Sequence, residues 1–539
     1  MKPKRRKKIS RREAISTATK IAGGVVAGAV IGGVVGYLVK PGVAPETTTI
    51  TVEKTKTVTQ TVTQTVGTTV PTTVVTTPSP TKTVTTTPSP TPTTAVAGYR
   101  HVTPDDTLVI WRCSMISREA EEAYEKVERD FEKKTGIKVK VELIDETSLP
   151  PKVQTAFLTG VIPVDLIFYT QTPYVARWAV QGWLRPIDEF FDWWLSNYGD
   201  DIVEAYRHSQ VPGPDGEPRY YMVGIGPTVG LWHVRADWVK AAGYELEDLE
   251  GPFEKFEEVL YAMRKVIPED SVPLFLQIGT SSPGDGSGAF WNFVRTFQDA
   301  LEYDFTKKEY VVSESAIAKL YEKLYKWIQD GIVNKSMPTA TEYDNNNVFQ
   351  MGKAGCTQNT LSIWKWLSEN KPDWLDPENP KLGLAKLPPL SASGKRWFTI
   401  GWRVYSVPVS TPDSKYKKCI EFLKYFFSPE VYDEWFKANV GDRLDAGIYK
   451  HNAEQPPVTE DPLLMKVQEA ANEAVGIGPS DLMPALGAFN ADMIGGQGYL
   501  KVHIGVASPD EAAEWVVSQL ESYVKKYEKE IGTKVRVLD

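Results

Sequence analysis

The stretch "VDLIFYTQT" at residues 164–172 turns abruptly from apolar side chains to hydroxyls and an amide. A short apolar run between turn signals reads as a strand buried on both faces, which places it near the centre of a parallel sheet covered by helices. The residues before it agree. In "PPKVQTAFLTG" the side chains of Val153, Ala156, Phe157 and Leu158 recur at helical spacing, and Gly160 suits a helix C-terminus. Further upstream, "SREAEEAYEKVERDFEKKTG" repeats the pattern, with Ser117 as N-cap, apolar Ala120, Ala123, Tyr124, Val127 and Phe131, and Gly136 as terminator. The strand "IKVKVELI" follows at once, and a first strand at residues 108–111 precedes. Strand, helix, strand, helix, strand predicts an α/β fold with right-handed crossovers. In such sheets ligands collect beyond the carboxyl ends of the strands, so "WRCSM" (111–115) and "YTQT" (169–172) are predicted to face a cleft.

At 539 residues the chain is too long for one core. Residues 1–20 are a basic export region, and residues 21–39 run without a charge, about 28 Å as a helix at ~1.5 Å per residue, close to the ~30 Å hydrocarbon layer. This segment reads as a transmembrane anchor or an export signal. Ser10, Arg11, Arg12 and Ile15 resemble the twin-arginine pattern, but Ala14 stands where that pattern prefers Phe, so both the twin-arginine and Sec routes stay open. No A-x-A cleavage site follows directly and no lipobox cysteine follows, which favours an uncleaved anchor. Gly24, Gly28, Gly32 and Gly36 recur every fourth residue, a face suited to helix pairing in a membrane, or simply a weakly hydrophobic export segment. In residues 46–97, 24 of 52 positions are Thr and six are Pro. Such a composition cannot bury enough apolar surface to offset chain entropy and predicts a disordered tether spanning about 40 Å. A globular body is thereby expected at the extracellular face of a membrane, held by the N-terminal helix, or exported with the signal removed.

Charge divides the same way. Ten Lys or Arg against Glu13 give residues 1–44 a net +9, leaving about −17 on the rest of a chain whose total is −8. An acidic exported body argues against nucleic acid or anionic lipid as its ligand. Cys113, Cys356 and Cys419 allow at most one disulfide, whose pairing the sequence does not choose. "NKS" at 334–336 is a sequon and predicts an exposed loop.

A second α/β unit begins with "MVGIGPTVGLWHV" (222–234), continues through the helical "GPFEKFEEVLYAMRKV" and the strand "VPLFLQI" (272–278), and ends in the polar, glycine-rich "GTSSPGDGSGAFWNF". With two such units the chain resembles a family 1 extracellular solute-binding protein of an ABC importer, the class that includes maltodextrin-binding proteins. "FEKKTGIKVKVEL", "VQTAFLTGVIPVDLIFYT", "VARWAVQGWLRPIDEF", "GLWHVRADWVKAAG", "MGKAGCTQNTLSIWKW", "LGLAKLPP" with "IGWRVYSVPVS", and "SPDEAAEWVVSQL" follow the family's order over about 420 residues. There are departures: "IGWRVY" stands where the family usually shows Gly-Gly-Trp, and Thr360 and Leu361 follow Asn359 in place of Gly-Pro. The resemblance implies a two-lobed periplasmic-binding-protein type II fold with a cleft between the lobes. It places lobe one at 106–229 plus about 399–428 and lobe two at about 230–398 plus 429–539. It implies capture of a sugar or oligosaccharide and delivery to ABC permease subunits, with no cofactor, no metal and no catalytic residue.

Carbohydrate recognition needs flat aromatic faces and paired polar groups. Among 16 tryptophans, most of them expected to be packing residues, Trp291, Trp364 and Trp402 are the candidate platforms. Ser114, Thr170, Gln171, Asn359 and Arg403 are the candidate polar contacts, the last able to fork onto two oxygens. Asp165 reads as a lobe-stabilising carboxylate, and Glu342, Tyr343 and Asp344 as a cleft rim or a solvated turn. "GDGSGA" (284–289) mimics a dinucleotide loop, but a helix N-terminus that takes a hydroxyl or anion fits it better. G-x-S-x-G, H-E-x-x-H and C-x-x-C are missing, and His101, His208, His233, His451 and His503 lack metal-ligand spacing. Two other readings stand beside the receptor: a surface glycan hydrolase or lyase, and a surface-layer accessory that binds nothing.

Overall fold

The predicted central strand is Leu166–Tyr169, and its four side chains are at most 1% exposed. The computed structural model describes residues 98–169, 173–442 and 444–538. The basic export region, the apolar segment at 21–39 and the tether at 46–97 lie outside them. Among the described residues no helix is long and apolar enough to cross a membrane.

Leu166–Tyr169 runs parallel to Thr107–Cys113, which in turn pairs in parallel with Lys138–Ile144. Its other neighbour is antiparallel. Gly401–Pro408 returns from the far end of the chain with Val404 opposite Tyr169 and Ser406 opposite Ile167, and it also carries Met222–Thr228 and Leu184–Arg185. The sheet is therefore mixed, not purely parallel, because a late segment closes it. The flanking helices follow their punctuation. Ser117 accepts the N–H of Ala120 at 3.2 Å to start Arg118–Thr135, and Gly136 ends it at φ 75°. Tyr124 and Phe131, three and four residues from Val127, are fully buried against the aromatic helix Asp413–Phe426. In Leu149–Thr159 the predicted inner face holds for Val153, Ala156 and Phe157, but Leu158 is 73% exposed, one step round the helix from them.

Asp165 sits at the foot of the central strand and is fully buried. It accepts from Val109 N at 2.7 Å, Thr103 Oγ1 at 2.8 Å and Lys415 Nζ at 3.1 Å, with His101 Nε2 at 2.6 Å. Burial works against its charge, yet these partners overcome it and hold the carboxyl below its ordinary range. It ties one edge of the sheet to Asp413–Phe426, as a structural carboxylate should.

A second sheet orders Val272–Phe275, Ala354–Asn359, Leu231–Arg235 and Leu382–Lys386, the first pair parallel and the others antiparallel. Two large hydrophobic cores result, both within the compact unit that runs to Asp539. The chain leaves the first core at Val229–Leu231, touches it at Leu361 and Leu384, re-enters it at Phe398 and Ile400, and leaves it again between Leu482 and Met483. The first core does not stop at Ser428: Tyr432, Trp435 and Phe436 of Pro429–Asn439, with Leu464 and Val467 of Pro462–Glu473, belong to it. Aromatic contact explains this, since Trp435 lies 4.9 Å from Phe426 and 5.1 Å from Tyr124.

The sequon does not sit on an open loop. Asn334 is 6% exposed, its Oδ1 accepts Leu276 N at 2.8 Å and its Nδ2 donates to Ser336 Oγ. All three cysteines are buried free thiols.

Candidate functional site

Two adjoining cavities of about 170 and 50 Å³ lie between the cores and share Asp285, Thr360 and Arg403. Phe398, Ile400 and Trp402 wall the larger one from the first core, Trp291 and Asn292 from the second. Glu146 and Asp442 face Tyr343 and Asn359 across the smaller one.

Asp285 is the first residue of the helix Asp285–Gln298. Its Oδ2 accepts from Asn345 Nδ2 at 2.9 Å and Gln277 Nε2 at 3.2 Å. Burial pushes its carboxyl up to about 6; the amide of Asn345 and the guanidinium of Arg403 pull the other way, and Glu146 adds to the rise. The glycine-rich loop before this helix does not offer its N-terminus to a ligand. Glu342 accepts the N–H groups of Gly284 and Asp285 at 2.9 and 3.0 Å and the hydroxyl of Ser282, while Ser282 Oγ takes the N–H of Gly286 at 3.0 Å. An internal carboxylate already holds the position that an anion would fill.

Arg403 reaches the site from the antiparallel strand Gly401–Pro408 and lines both cavities. The neighbouring Arg295 is spoken for: Glu302 grips it in a fork at 2.7 and 2.6 Å with both side chains buried. On the second-core wall Asn292 Nδ2 donates to Gln358 Oε1 at 3.1 Å. Across the smaller cavity Tyr343 Oη donates to Glu146 Oε2 at 2.5 Å, joining the two sides of the cleft.

The residues singled out from sequence fall in different places. Trp291 lines the larger cavity but is 1% exposed; its Nε1 donates to Asn490 Oδ1 at 2.9 Å and its ring packs on Phe290 and Phe489. Trp402 also lines it at 1% exposure, its indole laid over Gly224, where an added Cβ would come within 2.6 Å, and beside Tyr206. Neither offers an open ring face. Asn359 lines the smaller cavity, where its amide donates to Asn346 Oδ1 at 2.7 Å and its oxygen accepts from Thr360 N and Ser362 Oγ. Trp364 is set apart from both cavities: its Nε1 donates to Asp461 and its ring covers Gly441. Ser114 is exposed just beyond the strand Thr107–Cys113 and is not among the residues lining either cavity. Thr170 and Gln171 lie outside the described residues. Of the suspected rim, Glu342 and Tyr343 line the smaller cavity. Asp285, Glu146, Asn292 and Gln358 were not foreseen as wall residues; the only signal was an acidic residue at the head of a helix after a glycine-rich strand end.

The fold has solved counterparts. The profile described as bacterial extracellular solute-binding protein matches residues 126–466. An ABC-transporter solute-binding protein of Thermotoga lettingae, bound with α-D-tagatose, superposes with a TM-score of 0.62 at 16% identity over 78% of this chain and 100% of its own. A maltose-bound protein of T. maritima gives 0.62 at 15% over 77% and 99%, and a maltotriose-bound domain of Bdellovibrio bacteriovorus 0.56 at 19% over 78% and 100%. At such identities the likeness carries the fold. No curated protein sequence matches the chain.

Proposed function

From the chain's membership of the bacterial extracellular solute-binding protein family, we propose that it captures a sugar or oligosaccharide in the cleft between its two cores and delivers it to an ABC permease. The two cores act as lobes, with the first spanning about 106–229 and 399–482. Their closing motion surrounds a solute that either lobe alone would only half wet, and the permease reads the closed shape. The observation that carries this reading is the polar cleft itself, where Asp285 from one lobe and Arg403 from the other line the same two cavities. Thr170, Gln171 and Asn359 belong to the proposed polar contacts, with Trp291 and Trp402 as supports of the cleft; Ser114 would reach the solute only on closure, and Trp364 packs away from it. The N-terminal apolar segment and the Thr/Pro-rich tether would hold this body outside the membrane.

A disaccharide-sized ligand of about two dozen heavy atoms, at roughly −0.3 kcal/mol per atom, would bind near micromolar, which suits capture. A thermal-shift screen of the full chain against sugars, polyols and peptides tests the reading. A ligand at 100 times its Kd adds about 2.7 kcal/mol of stability. Stabilisation by peptides and by no sugar or polyol would redirect the solute, and release of new reducing ends from oligosaccharides would favour a glycan-degrading enzyme instead.

A further inference from the structure

We infer that the cleft is cut for a single sugar ring or a linear polyol, not an oligosaccharide, and that Asp285 and Arg403 hold its hydroxyls from opposite lobes. This rests on the solute-capture reading above.

Size is the first ground. The larger cavity measures about 170 Å³. The adjoining space adds only about 50 Å³, and the two together stay below the ~300 Å³ at which pockets for larger ligands begin. Within that adjoining space Tyr343 and Glu146 meet at 2.5 Å, which narrows it further.

The walls are the second ground. A chain of sugar units rests its C–H faces on a row of open aromatic rings. Here Trp291 and Trp402 are each 1% exposed and Phe398 is 4% exposed, so their faces are spent on protein neighbours. What faces the space is short and polar. Each hydroxyl of a polyol both donates and accepts, and it needs one partner of each kind. Asp285 supplies an acceptor and Arg403 supplies donors, and these two side chains line both cavities. The Nε of Arg403 has no acceptor among the described residues, whereas Arg295 is already forked onto Glu302.

Calorimetric titration of the full chain tests this with D-glucose, D-galactose, D-mannose, D-tagatose, ribitol and sorbitol against maltotriose, cellotriose and mannotriose. At least one single ring or polyol is expected to bind ten-fold or more tightly than every trisaccharide. Asp285→Asn and Arg403→Gln should each weaken that ligand ten-fold or more while the unliganded chain still unfolds in one cooperative transition. A trisaccharide that outbinds its own monomer overturns the inference and leaves sugar capture standing, a result the wild-type chain alone can give. Unchanged affinity in both variants overturns it as well. Failure of every sugar and polyol overturns both readings together.

Discussion

The backbone N–H of Val229 donates to a carboxylate oxygen of Asp445 at 2.6 Å, at the point where the chain leaves the first core for the second. The other oxygen takes the N–H of Leu361 at 2.9 Å, just beyond the strand Ala354–Asn359 of the second sheet. One buried side chain thus pins two segments that link the cores. Substituting Asp445→Ala orphans two buried donors, at ~1–3 kcal/mol each before relaxation. The expected outcome is a clear loss of stability in urea titration, smaller for Asp445→Asn, which keeps one acceptor. Burial pushes this carboxyl up to about 6 against the pull of the two N–H groups and Arg403. Since its folded pKa lies above the unfolded one, its contribution is favourable at low pH and is lost as pH rises from about 4 to about 6. Asp445→Asn should remove that slope; an identical pH profile in both proteins would refute the raised pKa, and unchanged stability of Asp445→Ala would refute the pin.

Asp285 predicts a pH dependence of solute affinity. Its carboxyl, pushed up to about 6 chiefly by burial, must be ionised to accept two hydroxyl hydrogens at once. Bound hydroxyls favour the charged form, so the ligand lowers this pKa and affinity falls as pH drops from 7 to 5. Asp285→Asn should bind weakly at every pH in that window. Titrations at pH 5, 6 and 7 that give one affinity for the wild type would exclude Asp285 from the contact.

Tyr343→Phe removes the hydrogen bond to Glu146 that spans the smaller cavity. Tyr343 is 39% exposed, so the unliganded Tm should move little. A bond that forms across the cleft favours the closed form, and its loss is expected to weaken the solute several-fold through a faster off-rate. Stopped-flow measurement of that rate in both proteins decides the matter.

The parts of the fold that were legible are those set by local sequence. The central strand showed because its residues are apolar on both faces, and the helix ends because Ser117, Gly136 and Gly160 act within one turn. What could not be read depends on register across long separations. Trp402 looked like a platform from its position, but the missing Cβ of Gly224 on the neighbouring strand lets the indole lie down into the core. Trp291 is turned by Asn490, and the helix N-terminus at Asp285 is filled by Glu342, partners 199 and 57 residues away. Arg403, which drew notice by breaking an expected pattern of small and aromatic residues, lines both cavities.

The three thiols give a stability probe. Cys113, Cys356 and Cys419 are fully buried, and burial pushes Cys356 and Cys419 well above the ordinary thiol range. Ellman's reagent should therefore label none of them in the native protein at pH 8 and all three in guanidinium. Native labelling of one thiol, or loss of two on unfolding under non-reducing conditions, would contradict the buried free state.

His451 makes the opposite pH prediction to Asp445. Its Nδ1 faces Asp201 and its Nε2 lies 3.0 Å from both oxygens of Asp433, so the two ring nitrogens each meet a carboxylate and both must donate. Burial works to lower its pKa, but the bonds to Asp201 and Asp433 outweigh it and raise the value above the ordinary one. The imidazolium joins the loop after Asp188–Tyr198 to the helix Pro429–Asn439. A folded pKa above the unfolded one means that the stabilisation is complete below about 6.5 and is lost as pH rises through the folded value. Urea midpoints at pH 6 and pH 9 should therefore lie further apart for the wild type than for His451→Asn, with the wild type the more stable at pH 6 and the two close at pH 9. A gap between the proteins that is equal at both pH values would mean that the ring is neutral and that packing on Tyr449, 5.4 Å away, is all it supplies.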